Sequence, residues 1–309
     1  MALINVILYL LCWSVIGFLA AKFLKVPKSL FSKLHKLTFN LILPIFILLS
    51  ITQHFNMSFF IQNMGIAVAH IIFLSLGFFN LLLFNKNERK YAFTILSFQN
   101  SAYLPLPIIL AMENNNEVLL LLFMFLVGFN LSMFTLGYWV LNRKSSLTKL
   151  LNPPLVSTLL AIAISIIPNV FPELHPTCIK DFISSIYPYL QLLRQVIRQI
   201  LIPLILFIFG GTLAYSSKTK SLFKLSTHIK LALIKFIEFP IIIYLLFANS
   251  SKVVLTIMLL ESIVPPAMNL ILLPSKESDM QKISNLLLIQ YLFFIVIVVP
   301  VVLLWSIYS

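Results

Sequence analysis

The chain has 309 residues, of which 60% are hydrophobic and only 10% are charged, and its mean hydropathy is +1.03. Soluble domains carry roughly 25% charged residues, so the composition excludes a soluble protein and indicates an integral membrane protein. The net charge of +13 requires no nucleic acid as a partner, because membrane proteins concentrate Lys and Arg in their cytoplasmic loops.

Apolar stretches follow one another along the whole chain. A hydrocarbon core about 30 Å thick needs about 20 apolar residues per helix, and ten stretches approach that length. The sequence therefore predicts an all-α integral membrane protein with ten transmembrane helices and almost no soluble part. In chain order, predicted helices 1 to 10 span residues 2–21, 37–52, 59–84, 91–112, 117–141, 153–171, 184–215, 226–247, 253–274 and 283–308.

The first stretch, MALINVILYLLCWSVIGFLAAKF, lacks both a basic leading segment and a small-residue cleavage site. We therefore expect helix 1 to be retained and not removed as a signal peptide. Cys12 in helix 1 and Cys178 in a loop are predicted to lie far apart. No disulfide, metal site or cofactor is expected.

The loop charges predict the orientation in the membrane, because Lys and Arg of short loops stay on the cytoplasmic side. Odd-numbered loops hold seventeen of the 22 Lys and Arg residues, whereas even-numbered loops hold only Lys180 and Lys252. We expect a multi-pass protein of the plasma membrane with both termini extracytoplasmic, helped by anionic lipid of the inner leaflet. The seventeen are Lys22, Lys25, Lys28, Lys33, Lys36, Lys86, Arg89, Lys90, Arg143, Lys144, Lys149, Lys218, Lys220, Lys224, Lys230, Lys276 and Lys282.

The ten predicted helices divide into two repeats of five, residues 1–141 and 153–309, joined by a cytoplasmic linker at 142–152. Because five is odd, two similar halves in tandem must cross the membrane in opposite directions, as in many secondary transporters. Such inverted repeats place a binding site between them, near the midplane.

Helices 4 and 9, the fourth of each repeat, carry polar residues and prolines where a plain apolar helix would be expected. Proline removes a backbone donor and breaks the helix, and broken backbone persists in a membrane only where protein or a water-filled cavity covers it. Two such breaks at matching places predict a binding site where helices 4 and 9 cross. The residues are Gln99, Asn100, Ser101, Pro105 and Pro107 in helix 4, and Glu261, Ser262, Pro265, Pro266 and Asn269 in helix 9.

At these segments the sequence resembles the auxin efflux carrier family, the PIN-like transporters of the larger group that includes bile-acid sodium symporters. The similar segments are LHKLTFNLILPIFILLSI, SFQNSAYLPLPIIL, LIPLILFIFGGTLA and ESIVPPAMNLILL. The chain departs from the family pattern at Gln99 and Leu106, where the family tends to have Gly, and at Glu261, where a small residue is more usual.

The resemblance implies a scaffold of helices 1, 2, 6 and 7 and a moving transport unit of helices 3 to 5 and 8 to 10. It also implies export of small organic anions, such as auxin-like or dicarboxylic acids, from a homodimer. Carried over by position, Asn100 and Asn269 would be the polar anchors of the substrate, beside Gln99 and Ser101. The prolines Pro105, Pro107, Pro265 and Pro266 would hold the two breaks open.

Ionisable residues inside predicted helices are the remaining signal, because a charge at the bilayer centre is costly. In helix 7, Arg194 and Arg198 lie on one helical face and either form a cationic wall that attracts the anion or extend to the headgroups at the interface. Glu261 is a candidate ion-coupling carboxylate, or else pairs with an arginine of helix 7. Lys235 and Glu238, three residues apart, are expected to form an ion pair.

Three polar residues of helices 3 and 5, His70, Asn80 and Asn130, are predicted to make hydrogen bonds between helices rather than to bind substrate. A polytopic membrane enzyme is disfavoured, because no D-x-x-x-D or H-E-x-x-H spacing occurs. Within transport, the alternative is a sodium- or proton-coupled uptake symporter of the bile-acid type. A channel is a weaker alternative, since broken helices suit a site with alternating access.

Overall fold

The computed structural model describes residues 2–111, 116–144, 151–170, 177–216 and 223–299. Within these ranges the chain is mainly helical and contains no β-strand. The α-helices are α1 (Ala2–Lys22), α2 (Lys28–Leu37), α3 (Leu43–His54), α4 (Met57–Gln62), α5 (His70–Phe79), α6 (Arg89–Ser97), α7 (Pro105–Ala111), α8 (Asn116–Ser132), α9 (Tyr138–Asn142), α10 (Pro153–Val170), α11 (Thr177–Ser216), α12 (Leu225–Leu233), α13 (Phe239–Phe247), α14 (Lys252–Ile263) and α15 (Glu277–Phe293).

Several of these helices continue into one another through short 3₁₀ or π-helical turns. Among the described residues, five helical stretches are long and apolar enough to cross a membrane: Lys28–His54, Met64–Leu83, Asn116–Asn142, Tyr187–Thr212 and Glu277–Val298. Shorter apolar helices cover Leu11–Lys22 and Pro153–Ile167. The protein is therefore an all-α membrane protein, as the composition predicts.

Three predicted helix starts are wrong by several residues. Predicted helix 2 begins at Lys28 rather than at residue 37, predicted helix 7 at Thr177 rather than at residue 184, and predicted helix 10 at Glu277 rather than at residue 283. Cys178 therefore lies in α11 and not in a loop. The basic segment before residue 37 is helical because one of its faces is apolar, and Phe31 packs against Phe207 with ring centroids 5.2 Å apart. Cys12 is a free, exposed thiol, whereas the side chain of Cys178 and the end of predicted helix 10 lie outside the described residues.

Helices α1 and α11 pack closely through glycines. A methyl group at Gly17 would overlap the backbone of Phe207, and one at Gly210 would overlap the backbone of Ser14. The two helices can approach this closely only because neither glycine has a side chain, which is how small residues act at helix interfaces in membranes. This contact fixes α11, which forms one wall of the site described below.

Candidate functional site

Two non-helical segments interrupt predicted helices 4 and 9: residues 98–104 between α6 and α7, and residues 264–267 after α14. We call these segments break 1 and break 2. Pro105 is the first residue of α7, where proline is favoured because its missing N–H has no helical partner. Pro265 and Pro266 lie inside break 2. Both breaks occur where the prolines predict them.

The two breaks lie side by side as extended, antiparallel segments. The backbone N–H of Asn100 donates to the carbonyl of Pro265 at 2.8 Å, and that of Ala267 donates to the carbonyl of Phe98, also at 2.8 Å. Gln99 and Pro266 form the antiparallel bridge between them. Unpaired backbone in a membrane costs several kcal/mol per group, so each break satisfies donors or acceptors that the other exposes.

The side chain of Asn100 ties both breaks to α15. Its Oδ1 accepts from the backbone N–H of Tyr103 at 3.2 Å, and its Nδ2 donates to the hydroxyl of Tyr291 at 2.8 Å. That hydroxyl donates in turn to the carbonyl of Pro266 at 2.7 Å. All these groups are buried, so Asn100 maintains the geometry of the breaks in this conformation.

Tyr291 did not emerge from the sequence as a site residue. It lies 191 residues from Asn100 along the chain, in an apolar stretch of α15 without a motif. A buried tyrosine hydroxyl needs a hydrogen-bond partner, but the sequence does not show which one.

A cavity of about 480 Å³ lies against the two breaks. Break 1 contributes Tyr103, and the 3₁₀ turn after break 2 contributes Met268 and Asn269. The rest of the wall comes from α2, α11 and α15 and from Ile271, and comprises Lys28, Phe31, Ser32, His35, Lys36, Ile205, Ile208, Phe209, Thr212, Tyr215, Glu277, Met280, Gln281 and Ser284.

The charge of this cavity is positive on one side. Lys28 and Lys36 of α2 line it beside His35, and Glu277 is the acidic residue among the described lining residues. The hydroxyl of Tyr103 lies 3.3 Å from Nδ1 of His35. The side chain of Asn269 lies beside His35. The cavity thus offers cations at its wall and a side-chain amide at its floor.

Of the predicted substrate-binding residues, Asn269 lines the cavity. Gln99, Asn100 and Ser101 do not line it, because they are buried within or behind break 1, with at most 2% of each residue exposed. The spacing of polar residues along helix 4 did not distinguish residues that face a cavity from residues that hold the break.

The arginines of α11 lie outside this cavity. Arg198 is half-buried and its guanidinium donates to the carbonyl of Leu110, in the last turn of α7. A cation there satisfies a free carbonyl at a helix C-terminus. Arg194 is also half-buried. Its charge lies close enough to two other basic residues, Arg198 and His54, for electrostatic repulsion. In this conformation Arg198 holds the end of α7 and does not form a cationic wall of the cavity.

A second polar cluster lies behind break 1. Glu261 and Lys235 are both completely buried and interact electrostatically with each other. Neither the carboxylate oxygens of Glu261 nor Nζ of Lys235 forms a hydrogen bond. Gln99 and Ser101 lie beside the carboxylate, and Nζ lies 5.6 Å and 5.3 Å from the ring centroids of Phe73 and Phe239.

This arrangement differs from the two pairings expected from the sequence. The carboxylate of Glu238 accepts a hydrogen bond from Nδ2 of Asn80 at 2.8 Å, so the predicted Lys235–Glu238 ion pair is wrong. Glu261 has Lys235 as its cationic neighbour and not an arginine of α11. Spacing along one helix favoured the first pairing, whereas the packing of α14 against the π-helical turn Ile234–Glu238 brings Lys235 toward Glu261.

His70 and Asn130, like Asn80, make hydrogen bonds to other segments of the chain, as the sequence predicts. Nε2 of His70 donates to the carbonyl of Ser97 at 2.9 Å, and Nδ1 accepts from the hydroxyl of Ser132 at 2.6 Å. This assignment follows because a carbonyl can only accept. Nδ2 of Asn130 donates to the carbonyl of Leu126 within α8 at 2.7 Å, and its Oδ1 accepts from Nδ2 of Asn152, which precedes α10, at 3.4 Å. These hydrogen bonds connect the segments around break 1.

The fold and the site define a multi-pass membrane protein in which two broken helices meet beside a positively charged cavity. The family model described as membrane transport protein matches residues 2–146 and 137–303, which together include nearly the whole chain. The chain therefore belongs to the auxin efflux carrier family of membrane transport proteins. This confirms the resemblance seen in the four sequence segments. A comparison with curated proteins finds no match.

Proposed function

We propose that this transporter carries small organic anions, and that they bind in the 480 Å³ cavity beside the two breaks. The observation that supports this most directly is the combination of Lys28, Lys36 and His35 on the cavity wall with the side-chain amide of Asn269, whose Nδ2 is a donor, at its floor. Cavities for small ligands range from about 300 to 1,000 Å³, so the volume suits an auxin-like or dicarboxylic acid.

The cavity distinguishes a carboxylate from a neutral solute of similar size. Cations on α2 attract the charge of the anion, while the apolar side chains of Phe31, Ile205 and Phe209 contact its carbon skeleton. An amide such as Asn269 can donate to a carboxylate without carrying a charge, so the anion is held without being trapped. That balance is what a carrier requires, because each cycle ends with release.

We further propose that the protein exports its substrate by alternating access. In this proposal ten helices form two inverted five-helix repeats, and the breaks cross near the midplane. The cavity supports such a division, because its wall combines α2 and α11, from the proposed scaffold, with break residues and α15, from the proposed transport unit. The protein would be a homodimer in the plasma membrane, with both termini extracytoplasmic.

Glu261 is the proposed ion-coupling residue. Its carboxylate is buried directly behind break 1, beside Gln99 and Ser101, so a change in its charge would act on the segment that bears Asn100. Lys235 is part of the same electrostatic unit. Because a buried charge is stable only beside a counter-charge, a proton gained by Glu261 would change the interactions of both residues.

The proposal is tested by ligand-dependent thermal unfolding of the purified protein in detergent, with an aromatic monocarboxylate, an aliphatic dicarboxylate and a neutral amide of similar size. A ligand that binds only the folded state at 100 times its Kd stabilises it by about 2.7 kcal/mol. We expect a carboxylate to raise the unfolding temperature and the neutral amide to leave it unchanged.

Two variants connect the effect to the cavity. Asn269→Ala removes the amide at the cavity floor, whereas Asn249→Ala makes the same change in an exposed turn between α13 and α14. The carboxylate shift should disappear in the first variant and persist in the second. A carboxylate shift that survives in Asn269→Ala, or an equal shift with the neutral amide, would contradict the proposed site.

A further inference from the structure

A second cavity, of about 1120 Å³, lies between α5, the start of α6 and α9. It is separate from the cavity at the breaks, with which it shares no lining residue. Its floor is mainly apolar and its rim is basic. The lining residues used below are Leu74, Ser75, Phe78 and Phe79 at the floor and Lys86, Arg89, Lys90, Trp139, Arg143 and Lys282 at the rim.

The rim brings together five cations from three separate parts of the chain. No acidic residue is among the described residues that line the cavity. Asp279 lies nearby and pairs with Lys90 at 2.7 Å, and the carboxylate of Glu88 accepts from Asn85 and Thr227, so the five positive charges outnumber the carboxylates around them. Lys86 and Arg143 are exposed. The rim therefore carries a concentrated positive charge that suits an anionic group such as a phosphate.

Two of these cations are held in position by contacts of their own. Nε of Arg89 donates to the carbonyl of Phe84 at 3.2 Å. The guanidinium of Arg143 lies 5.2 Å from the ring centroid of Trp139, within the range of a cation–π interaction. Arg143 has a positive φ of 57° at the end of α9. The basic rim is thus a defined part of the fold.

The floor is apolar and open to the surroundings. Phe78 is 64% exposed, Phe79 is 70% exposed and Trp139 is 46% exposed. Phe78 and Phe79 belong to the stretch Met64–Leu83, which is long and apolar enough to cross a membrane. Aromatic residues next to basic residues at the end of such a stretch are typical of the membrane–water interface. The floor therefore continues the lipid-facing surface of α5.

We propose that this second cavity binds an anionic phospholipid, with its phosphate at the basic rim and an acyl chain along the floor. A soluble anion would use the cations but would leave the apolar floor exposed to water. A zwitterionic lipid would cover the floor but would not neutralise the rim. An anionic phospholipid matches both parts, and basic pockets between helices at the cytoplasmic side are sites for such headgroups.

The test uses Trp139 as a reporter in the full-length protein, after Trp13→Phe and Trp305→Phe remove the other two tryptophans. The protein is reconstituted into vesicles whose phospholipids carry bromine on their acyl chains, which quenches nearby tryptophan fluorescence. Brominated phosphatidylglycerol should quench Trp139 at a lower mole fraction than brominated phosphatidylcholine does. Equal quenching by the two lipids would overturn the proposal.

Charge variants separate this site from general attraction to an anionic membrane. Since each cation near the surface contributes about 1 kcal/mol, neutralising one should lower the relative affinity for the anionic lipid roughly fivefold. The double variant Lys86→Gln/Arg143→Gln should lose most of the preference for the anionic lipid. Quenching by the anionic lipid is expressed relative to quenching by the zwitterionic lipid in the same variant. The matched pair Lys33→Gln and Lys224→Gln, exposed and outside the cavity, should retain the preference.

A third variant tests the floor. Ser75→Phe places a bulky ring at the floor of the second cavity and leaves every cation of the rim in place. Phenylalanine is chosen over tryptophan because a second tryptophan would interfere with the Trp139 reporter. The variant should weaken quenching by the anionic lipid, because the acyl chain can no longer lie along the floor. Unchanged quenching in Ser75→Phe, or an equal loss of preference in the two charge pairs, would show that the cations act only as a diffuse surface charge.

Discussion

The hydroxyl of Tyr291 offers the sharpest test of how the two breaks are held. It accepts from Nδ2 of Asn100 and donates to the carbonyl of Pro266, over 2.8 Å and 2.7 Å. The substitution Tyr291→Phe removes this one oxygen and keeps the ring. Because the residue is buried, with 1% of its surface exposed, water has no easy access to the two groups left behind.

The expected cost follows from the two orphaned partners. A buried donor or acceptor without a partner costs about 1–3 kcal/mol, and the apolar phenylalanine ring offsets a small part of this. We expect Tyr291→Phe to lower the free energy of unfolding by about 2–4 kcal/mol. The edge-to-face contact between the rings of Tyr291 and Phe209, at 4.9 Å, should persist.

The assay is denaturant-induced unfolding in detergent micelles, with Tyr244→Phe as the matched control. Tyr244 is 53% exposed, so removal of its hydroxyl should leave the unfolding free energy within about 0.5 kcal/mol of the wild type. A double-mutant cycle with Asn100→Ala should show coupling, since the two side chains share a hydrogen bond. If Tyr291→Phe unfolds like Tyr244→Phe, the hydroxyl does not hold the breaks together and the reasoning fails.

Three further contacts are tested by the same unfolding measurement. Gly210→Ala should destabilise the protein by about 1–3 kcal/mol, because its methyl group would overlap the backbone of α1. The control Gly65→Ala, with open space around it, should not destabilise the protein. Equal effects of the two variants would refute the close contact of α1 with α11. Asp279→Ala should cost about 1.5–3 kcal/mol, because Asp279 accepts from Lys90 and from the hydroxyl of Tyr91; a neutral effect would show that neither bond contributes. Lys235→Met and Glu261→Gln should each change the unfolding free energy by about 1–3 kcal/mol, and the double variant should differ from the sum of the two, because the side chains interact electrostatically within one buried cluster; additive effects would mean that the two groups are independent.

The breaks show what local chemistry can predict. Pro105, Pro265 and Pro266 prevent a regular helix at these positions whatever surrounds them, since the constraint lies in the residue's own ring. The position of each break was accordingly predictable. The helical start at Lys28 was not predicted, because a segment rich in lysine resembles a loop until its apolar face finds Phe207.

The roles of the polar residues were predictable only in part. Gln99 and Asn100 in break 1 and Asn269 just after break 2 are similar amides, but Asn269 alone of the three lines the cavity at the breaks. Which amide faces the cavity depends on α2, α11 and α15, whose residues lie far away along the chain. The same applies to Lys235, which interacts with Glu261 and not with Glu238, its neighbour on the helix.

The sequence by itself determined the all-α membrane class, the family and the two places where helices break. These properties depend on composition, on short motifs and on the backbone chemistry of proline, which are local. Only the tertiary structure decided that the breaks share backbone hydrogen bonds, that Tyr291 connects them and that α2 supplies the cations of the cavity. Such contacts join residues up to 191 positions apart, and no local pattern specifies partners at that distance.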